Sequence, residues 1–329
     1  MKKKISFSIA CFNEELNIVT TYKALKKIAD QYKGKYEFEY IFSDNCSIDK
    51  TKELITKLTK KDKNVTGVFL SRNFGHEANG QAAMDYTSGD AVIPIECDLQ
   101  DPPEVIPKLI EKWERGYDVV VGLRTRLEDS VFMNFTRKTF YKIFKKISNI
   151  EVPVNSGAFG LMDRKVVDAI GKMPEKYRFF RGLRAYAGFK TAYVTYHRGK
   201  RKYGKSSYNF IDYIRHSERG IFGFSFLLLD LMVYAGFILV VFSFLFIVGY
   251  LFTVIVFGNP IRAQIPLMLA IVFFGGIQLL AISIIGKYIQ VIVEETKGRP
   301  VYIVDEVINT KSEARNPKFE TNLNFRKFK

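Results

Sequence analysis

The stretch Ile93-Pro94-Ile95-Glu96-Cys97-Asp98-Leu99-Gln100-Asp101-Pro102-Pro103 joins a short apolar run to acidic residues and then to a proline pair. Ile93–Ile95 reads as the end of a buried strand. The prolines suit the first turn of a helix running towards Gly116, because a proline there gives up an N–H that has no partner anyway. Working outward, the same alternation recurs from Ile5 to about Val121. Ile5–Cys11, Tyr36–Phe42, Val65–Leu70, Ala91–Glu96 and Asp118–Val121 read as strands, and Glu14–Gln31 and Thr51–Lys61 carry helical spacing. Alternating strands and helices predict an α/β fold, a parallel sheet covered by helices. In such sheets ligands sit beyond the carboxyl ends of the strands, so Asn13, Asp44, Arg72 and Asp98 are expected to converge there.

Bulk properties set limits on the rest. The 329 residues are 47% hydrophobic, which excludes a disordered chain. Fifty Lys and Arg against 34 Asp and Glu give a formal charge of +16, suited to an anionic lipid surface, nucleic acid or a phosphorylated substrate. Three cysteines, none in a C-x-x-C pair, indicate neither a disulfide framework nor a thiolate zinc site. The basic opening Met1-Lys2-Lys3-Lys4 is followed by an apolar run that breaks at Asn13-Glu14-Glu15, so it reads as a first strand rather than an export signal.

Two later segments, Leu231–Phe257 and Ile265–Gly286, are almost wholly apolar and reach the roughly 20 residues a bilayer crossing needs. They predict a transmembrane hairpin. The connecting loop holds one cation, Arg262, while Arg215, Arg219, Lys287, Lys297 and Arg299 flank the outer ends. Positive-inside bias then places the sheet domain and both termini in the cytoplasm of a multi-pass protein of the inner (plasma) membrane. Phe132–Ile150 mixes phenylalanines and isoleucines at helical spacing with Arg and Lys, the pattern of a helix lying in the membrane interface, and Tyr208–Phe222 is a second candidate. The expected organisation is an α/β domain over residues 1–130, an acceptor region over 131–225, membrane spans over 226–288 and a cytoplasmic segment over 289–329. Because the cations lie beside apolar helices, lipid headgroups suit them better than nucleic acid.

Two sets of residues carry chemistry. Glu96 and Asp98, spaced i and i+2 at a strand end, can share one hard cation, and such a metal can bridge a diphosphate and offset charge on a leaving group. The loop Arg198-Gly199-Lys200-Arg201-Lys202-Tyr203-Gly204-Lys205 holds five cations in eight residues, with two glycines, and can wrap a phosphate and release it.

Taken together, Phe7–Glu15 with its N-E-E turn, Ser43–Thr51, Leu70–Glu77, Leu99–Pro103, Arg178–Leu183 and Glu294–Pro300 resemble, in order, the family-2 glycosyltransferases, in particular the polyprenyl-phosphate branch that includes dolichol-phosphate mannose synthase. The resemblance implies a nucleotide-diphospho-sugar transferase (GT-A-like) mixed sheet of Rossmann type. It implies that a sugar passes from a nucleotide sugar, UDP-linked in the bacterial members most similar to this chain, to a polyprenyl phosphate such as undecaprenyl phosphate, with Mg²⁺ or Mn²⁺ as cofactor. Carried onto this sequence, Asn13, Glu15, Asp44, Asn45 and Arg72 would hold the nucleotide. Glu96, Asp98 and Gln100 would hold the metal, with Asp98 as principal ligand. Arg181, Arg198, Arg201 and Lys205 would contact phosphates, and Asp98, Arg124, Arg198 and Lys205 would act at the reacting centre. A homo-oligomer, a tetramer among the options, could form through the spans and a strand at Val301–Val307.

Three positions depart from the family pattern. Glu96 stands where many relatives have Asp, Asn45 replaces the second Asp of the nucleotide loop, and Ala158 replaces an Asp suspected of being a general base. A phosphate acceptor, with its second pKa near 6, is already largely ionised at pH 7 and needs no base, so Ala158 is compatible with inverting transfer to a lipid phosphate. Two other enzymes are disfavoured: a processive polysaccharide synthase would need Q-x-x-R-W, whereas the one tryptophan is Trp113, and a dinucleotide oxidoreductase would need G-x-G-x-x-G after the first strand. The three departures leave a non-catalytic membrane adaptor of the same fold as the alternative.

Overall fold

The computed structural model describes residues 2–125, 153, 155–176, 178–199, 226–257 and 264–310. The expected interface helices Phe132–Ile150 and Tyr208–Phe222, the loop cation Arg262, and Arg201 and Lys205 of the basic loop lie outside the described residues.

Nine residues of β1 (Lys3–Cys11) form the spine of an eight-stranded sheet. Parallel to it run β2 (Tyr36–Asp44), β3 (Val65–Leu70) and β4 (Ala91–Glu96), joined by α1 (Ile18–Gln31), α2 (Thr51–Lys61) and α3 (His76–Asp85). After a 3₁₀ turn at Pro103–Val105 come α4 (Ile106–Glu114) and β5 (Val119–Arg124), then β6 (Ser156–Asp163), α5 (Arg164–Lys172), α6 (Phe180–Tyr186) and β7 (Thr191–Tyr196). The apolar helices α7 (Leu227–Phe257) and α8 (Gln264–Thr296) precede a last strand, β8 (Val304–Asn309). Strand order is β7-β5-β6-β4-β1-β2-β3-β8.

The sheet is mixed, as the resemblance implied, and differs from a purely parallel one through β6 and β8. β6 pairs antiparallel with both β4 and β5, and β8 pairs antiparallel with β3. The sheet therefore draws strands from well beyond residue 130. Ile5, Phe7 and Ile9 of β1 are fully buried, and the rings of Phe7, Phe38 and Tyr40 stack in the core on one side of the sheet. A second cluster, built on Val92, Met162, Val166, Ile170 and Leu183, fills the space under α5 and α6.

Helix α1 starts four residues later than its periodicity predicts. Asn13 has φ 54°, and the N–H groups of Glu14 and Glu15 donate to Thr51 Oγ1 and Asp49 Oδ2, so the chain after β1 is tied to the β2–α2 loop rather than wound into a helix. A partly buried polar knot also links β1, β2 and the turn before β4. The Glu39 carboxylate accepts from Ser6 Oγ (2.6 Å) and from the Ser88 N–H (2.6 Å) and hydroxyl (2.7 Å). Burial pushes the Glu39 carboxyl up, but these hydrogen bonds and Lys4 outweigh it, and its pKa is lowered. A depressed folded-state value stabilises the fold above the unfolded-state pKa near ~4.3, and that stability is lost as pH falls through the folded value. Glu39→Gln is therefore expected to lower the thermal midpoint at neutral pH and to flatten its decline below about pH 4. A wild-type decline unchanged by the substitution would show that Glu39 does not contribute.

Helices α7 and α8, 31 and 33 residues long, span roughly 45–50 Å at 1.5 Å per residue. Both are long and apolar enough to cross a membrane, and their apolar stretches are not buried against the rest of the protein. Phe237, Phe242, Phe246 and Ile255 on α7 and Phe273, Leu279 and Ile282 on α8 are all exposed. The helices outrun the spans read from the sequence: α7 begins at Leu227 and includes Asp230, and α8 continues past Gly286 through Lys287 to Thr296. The end of α8 reaches the sheet domain, where Glu295 accepts the Lys176 N–H at 2.9 Å through both carboxylate oxygens.

Candidate active site

Sheet register sets the site. Cys11 of β1 pairs with Asp44 of β2, Asp44 with Phe69 of β3, and Ala10 with Glu96 of β4, so the residues just beyond these pairs emerge together at one end of the parallel strands. Asn13, Glu15, Asp44, Asn45, Arg72, Glu96, Asp98 and Gln100 all lie at that end.

On the nucleotide side, Asn13 donates its N–H to Ser47 Oγ (2.8 Å) and accepts the Ile48 N–H on Oδ1 (3.0 Å). Glu15 accepts the Lys50 N–H at 3.0 Å. Asp44 is buried, raised in pKa first by that burial, and accepts from the N–H and hydroxyl of Ser47. Asn45 donates from Nδ2 to Asn73 Oδ1 (2.9 Å) and accepts the Phe74 N–H on Oδ1 (2.9 Å). The departure to Asn thus has a structural use: a carboxylate there could not donate to Asn73, and the loop that enters α3 would lose a tether. Arg72 is exposed, with its guanidinium 4.1 Å above the Phe74 ring.

At the end of β4 the acids meet cations. Glu96 accepts from Arg198 Nη2 at 3.1 Å on one oxygen and lies 3.8 Å from His76 Nε2 on the other. Burial would raise the Glu96 pKa, yet the positive groups His76, Arg198, Arg124 and Arg181 outweigh it and lower it. Asp98, 6% exposed, accepts the Gln100 N–H at 3.0 Å, and burial followed by repulsion from Glu96 pushes its pKa up to about 6. Gln100 in turn accepts the Gly199 N–H on its carbonyl at 2.8 Å, which stitches the start of the basic loop to the acidic turn.

The sequence marks no role for Asp101, yet it is the hub of this cluster. It is 2% exposed and its Oδ1 accepts from the Tyr196 hydroxyl at 2.5 Å, with Arg124 Nη2 at 3.5 Å and Arg198 Nε at 3.7 Å. Arg198 therefore bridges Glu96 and Asp101. Gly157 keeps room for Arg124, since a Cβ there would lie 2.7 Å from its Nη2. Arg181 donates to the Ser156 carbonyl and Arg184 to that of Gly157, both at 3.0 Å, so two further guanidinium groups hold the start of β6. Arg184 is buried, and burial followed by the nearby Arg181 lowers its pKa to about 10. Only the third carboxylate of Glu96-x-Asp98-x-x-Asp101 could have pointed to the hub; nothing local marked His76, Tyr196 or Arg184.

Ala158 packs against the cluster of Met162, Val166 and Leu183 with Leu123 and Phe189, while Phe159 turns to the opposite side and meets the Tyr196 ring edge-on at 5.4 Å. Alternation along β6 thus puts Ala158 on the Val92 and Met162 side of the sheet, the side to which alternation along β4 also turns Glu96.

A carboxylate pair and neighbouring guanidinium groups at the mouth of a mixed α/β sheet suit an enzyme that handles a phosphorylated donor. The chain belongs to the family described as glycosyl transferase family 2, whose match spans residues 6–171, and it is a glycosyltransferase. It is 40% identical over 302 residues to the SfII prophage-derived bactoprenol glucosyl transferase of Shigella flexneri, covering 92% of this chain and 97% of that protein. It is 39% identical over 305 residues to the prophage bactoprenol glucosyl transferase homolog of Escherichia coli (92% and 99% covered). An uncharacterized glycosyltransferase of Synechocystis sp. is 37% identical over 308 residues (93% and 96% covered). The non-catalytic reading weighed from the three departures gains no support from these relatives.

Proposed function

We propose that this protein transfers a glycosyl group from a UDP-sugar to a polyprenyl phosphate of the undecaprenyl type, with inversion, at the cytoplasmic face of the plasma membrane. The observation that carries the reading is the juxtaposition of Glu96 and Asp98 with Arg198 and Arg124 at the carboxyl end of the parallel strands, in a chain with two long exposed apolar helices. The bactoprenol relatives support the lipid acceptor.

The donor set fits Mg²⁺ or Mn²⁺. Burial and Glu96 raise the Asp98 pKa, and a divalent ion would offset both effects. Two carboxylates are what a hard cation takes when phosphate oxygens and water complete its shell. Bound there by Asp98 and Glu96, with Gln100 beside them, the ion would neutralise charge on the departing diphosphate.

The rest falls to the chain's own residues. Asn13, Glu15, Asp44, Asn45 and Arg72 frame the nucleotide. Arg124 and Arg198, fixed by Asp101, present guanidinium groups to the phosphates, and Arg181, Arg201 and Lys205 would add further cations. An acceptor phosphate oxygen is ionised at pH 7, so the attack on the anomeric carbon needs orientation rather than proton removal, and Ala158, which offers no base, is compatible with it. In this reading the sheet unit lies against the membrane, with residues 131–225 receiving the lipid, 226–288 crossing the bilayer and both termini cytoplasmic.

Incubating the detergent-solubilised protein with undecaprenyl phosphate and a panel of labelled UDP-sugars in the presence of Mg²⁺ or Mn²⁺ tests the proposal. One lipid-linked sugar product, lost on adding a chelator, is expected. Transfer to water or to a sugar hydroxyl alone would refute the lipid acceptor.

A further inference from the structure

A cavity of about 330 Å³ lies where the domain meets the end of α8, on residues that the catalytic reading does not use. Its lining includes Lys176 and Arg178 from the α5–α6 loop and Lys297 and Arg299 just past Thr296, against the carboxylates of Glu77 and Glu294. Four cations thus face two acids. Glu77 accepts the Phe180 N–H and Glu294 the Gln290 amide, and no ion pair to Lys176, Arg178, Lys297 or Arg299 occurs among the described residues.

The walls are held rigidly. Arg178, 8% exposed, donates to the Glu175 and Met173 carbonyls and to Gln81 Oε1 at 2.6 Å. Gln81 Nε2 donates to Asp85 Oδ1 at 2.6 Å, and the Tyr302 hydroxyl donates to Asp85 Oδ2 at 2.6 Å. This relay ties α3, the α5–α6 loop and the segment after α8 to one another, and Glu295 adds its two bonds from the Lys176 N–H. Arg178 is committed to the walls, which leaves Lys176, Lys297 and Arg299 to meet a ligand.

Cations without carboxylate partners around a preformed hollow suit a phosphate group. Its place selects the source. In the last two turns of α8, Ile289, Ile292 and Val293 are 52%, 58% and 40% exposed, so apolar surface runs up to the cationic hollow along the same helix. Apolar surface leading to a cationic pocket matches an amphiphile, with acyl chains on the helix and a phosphate at its end. We infer that this cavity binds the phosphate headgroup of an anionic membrane phospholipid and thereby fixes the tilt of the catalytic domain over the bilayer. The inference rests on the reading that α7 and α8 cross the membrane.

The full-length protein and the double variant K297Q/R299Q serve as the test, with K60Q/K61Q, two exposed lysines on α2, as a charge-matched control. Native mass spectrometry of protein purified in detergent with equal phosphatidylglycerol and phosphatidylcholine reads the retained lipid. Wild type and K60Q/K61Q are expected to retain phosphatidylglycerol in preference, and K297Q/R299Q to lose that preference by about tenfold or more. The single variant R299K, which keeps the charge, should retain most of it. Equal retention by wild type and K297Q/R299Q overturns the inference. Saturable binding of inorganic phosphate without preference between the two lipids assigns the cavity to a soluble anion and overturns it as well. Release of the wild-type protein from membranes by alkaline carbonate would instead overturn the membrane-crossing reading, a separate failure.

Discussion

Asp98→Asn is expected to lower kcat for lipid-linked sugar formation by about three orders of magnitude, roughly 4 kcal/mol of transition-state stabilisation, while leaving the fold intact. The side chain keeps its size and its Oδ1, which still accepts the Gln100 N–H. What disappears is a negative charge that the fold holds at a cost, since burial and Glu96 raise the Asp98 pKa to about 6. Removing a charge in such a position relieves repulsion, so the variant should unfold at the wild-type temperature or slightly above it. Loss of activity with stability retained is the signature of a residue kept for chemistry. Thermal unfolding and a radiolabelled transfer assay on one preparation measure both. Unchanged turnover would remove Asp98 from the mechanism, and a collapsed fold would make it a structural residue.

Asp101→Asn should produce the opposite pairing of effects. Its carboxylate is nearly inaccessible and serves Tyr196, Arg124 and Arg198 at once, and those arginine side chains are 15% and 22% exposed. An amide retains the hydrogen bond from Tyr196 but leaves the partly buried guanidinium of Arg124 without its anion and that of Arg198 with Glu96 alone. Burial raises the Asp101 pKa against the pull of Arg124 and Arg198, so the cost comes from the stranded arginine rather than from the carboxylate's own charge; leaving a buried partner unpaired costs about 3 kcal/mol, enough to lower the thermal midpoint by several degrees. Activity should fall further than stability, because Arg124 and Arg198 lose the contact that aims them at the phosphates. Tyr196→Phe, which deletes one hydrogen bond and no charge, should cost only about 1 kcal/mol. If Asp101→Asn and wild type shared one midpoint, Asp101 would not be the hub described here.

These two acids, three positions apart, show how legible the site was. Glu96 and Asp98 announced themselves because an acid-x-acid pair closing an apolar strand is a local pattern. Asp101 did not, because its partners Arg124, Tyr196 and Arg198 come from β5, β7 and the loop beyond, and no spacing in the sequence records that meeting. Ala158 is a similar case. Its identity as a departure was visible, but the side of the sheet it faces followed only from the pairing of β6 with β4 and β5. Helix α3 escaped notice because its start, His76-Glu77-Ala78-Asn79-Gly80, carries little apolar periodicity; it is held by Gly75 at φ 92° and by the Asn73 and Asn45 tethers.

The sequence by itself determined the parts governed by short-range physics. β3 and β4 fall where alternation and apolar runs put them, β1 and β2 extend theirs by two residues, and α2 matches its spacing, because burial of an amphipathic face depends on neighbours a few residues away. The presence of the two apolar helices follows from composition alone, although both run past the spans that composition marks. Tertiary structure decided what depends on contacts between distant segments: the insertion of β6 between β4 and β5, the return of β8 from beyond the apolar helices to cap β3, the grip of Asp101 on two arginines, and the cationic hollow beneath α8. Each of these joins residues tens to hundreds of positions apart. Such pairings are selected by the total burial and charge balance of the folded chain, and no local window contains that sum.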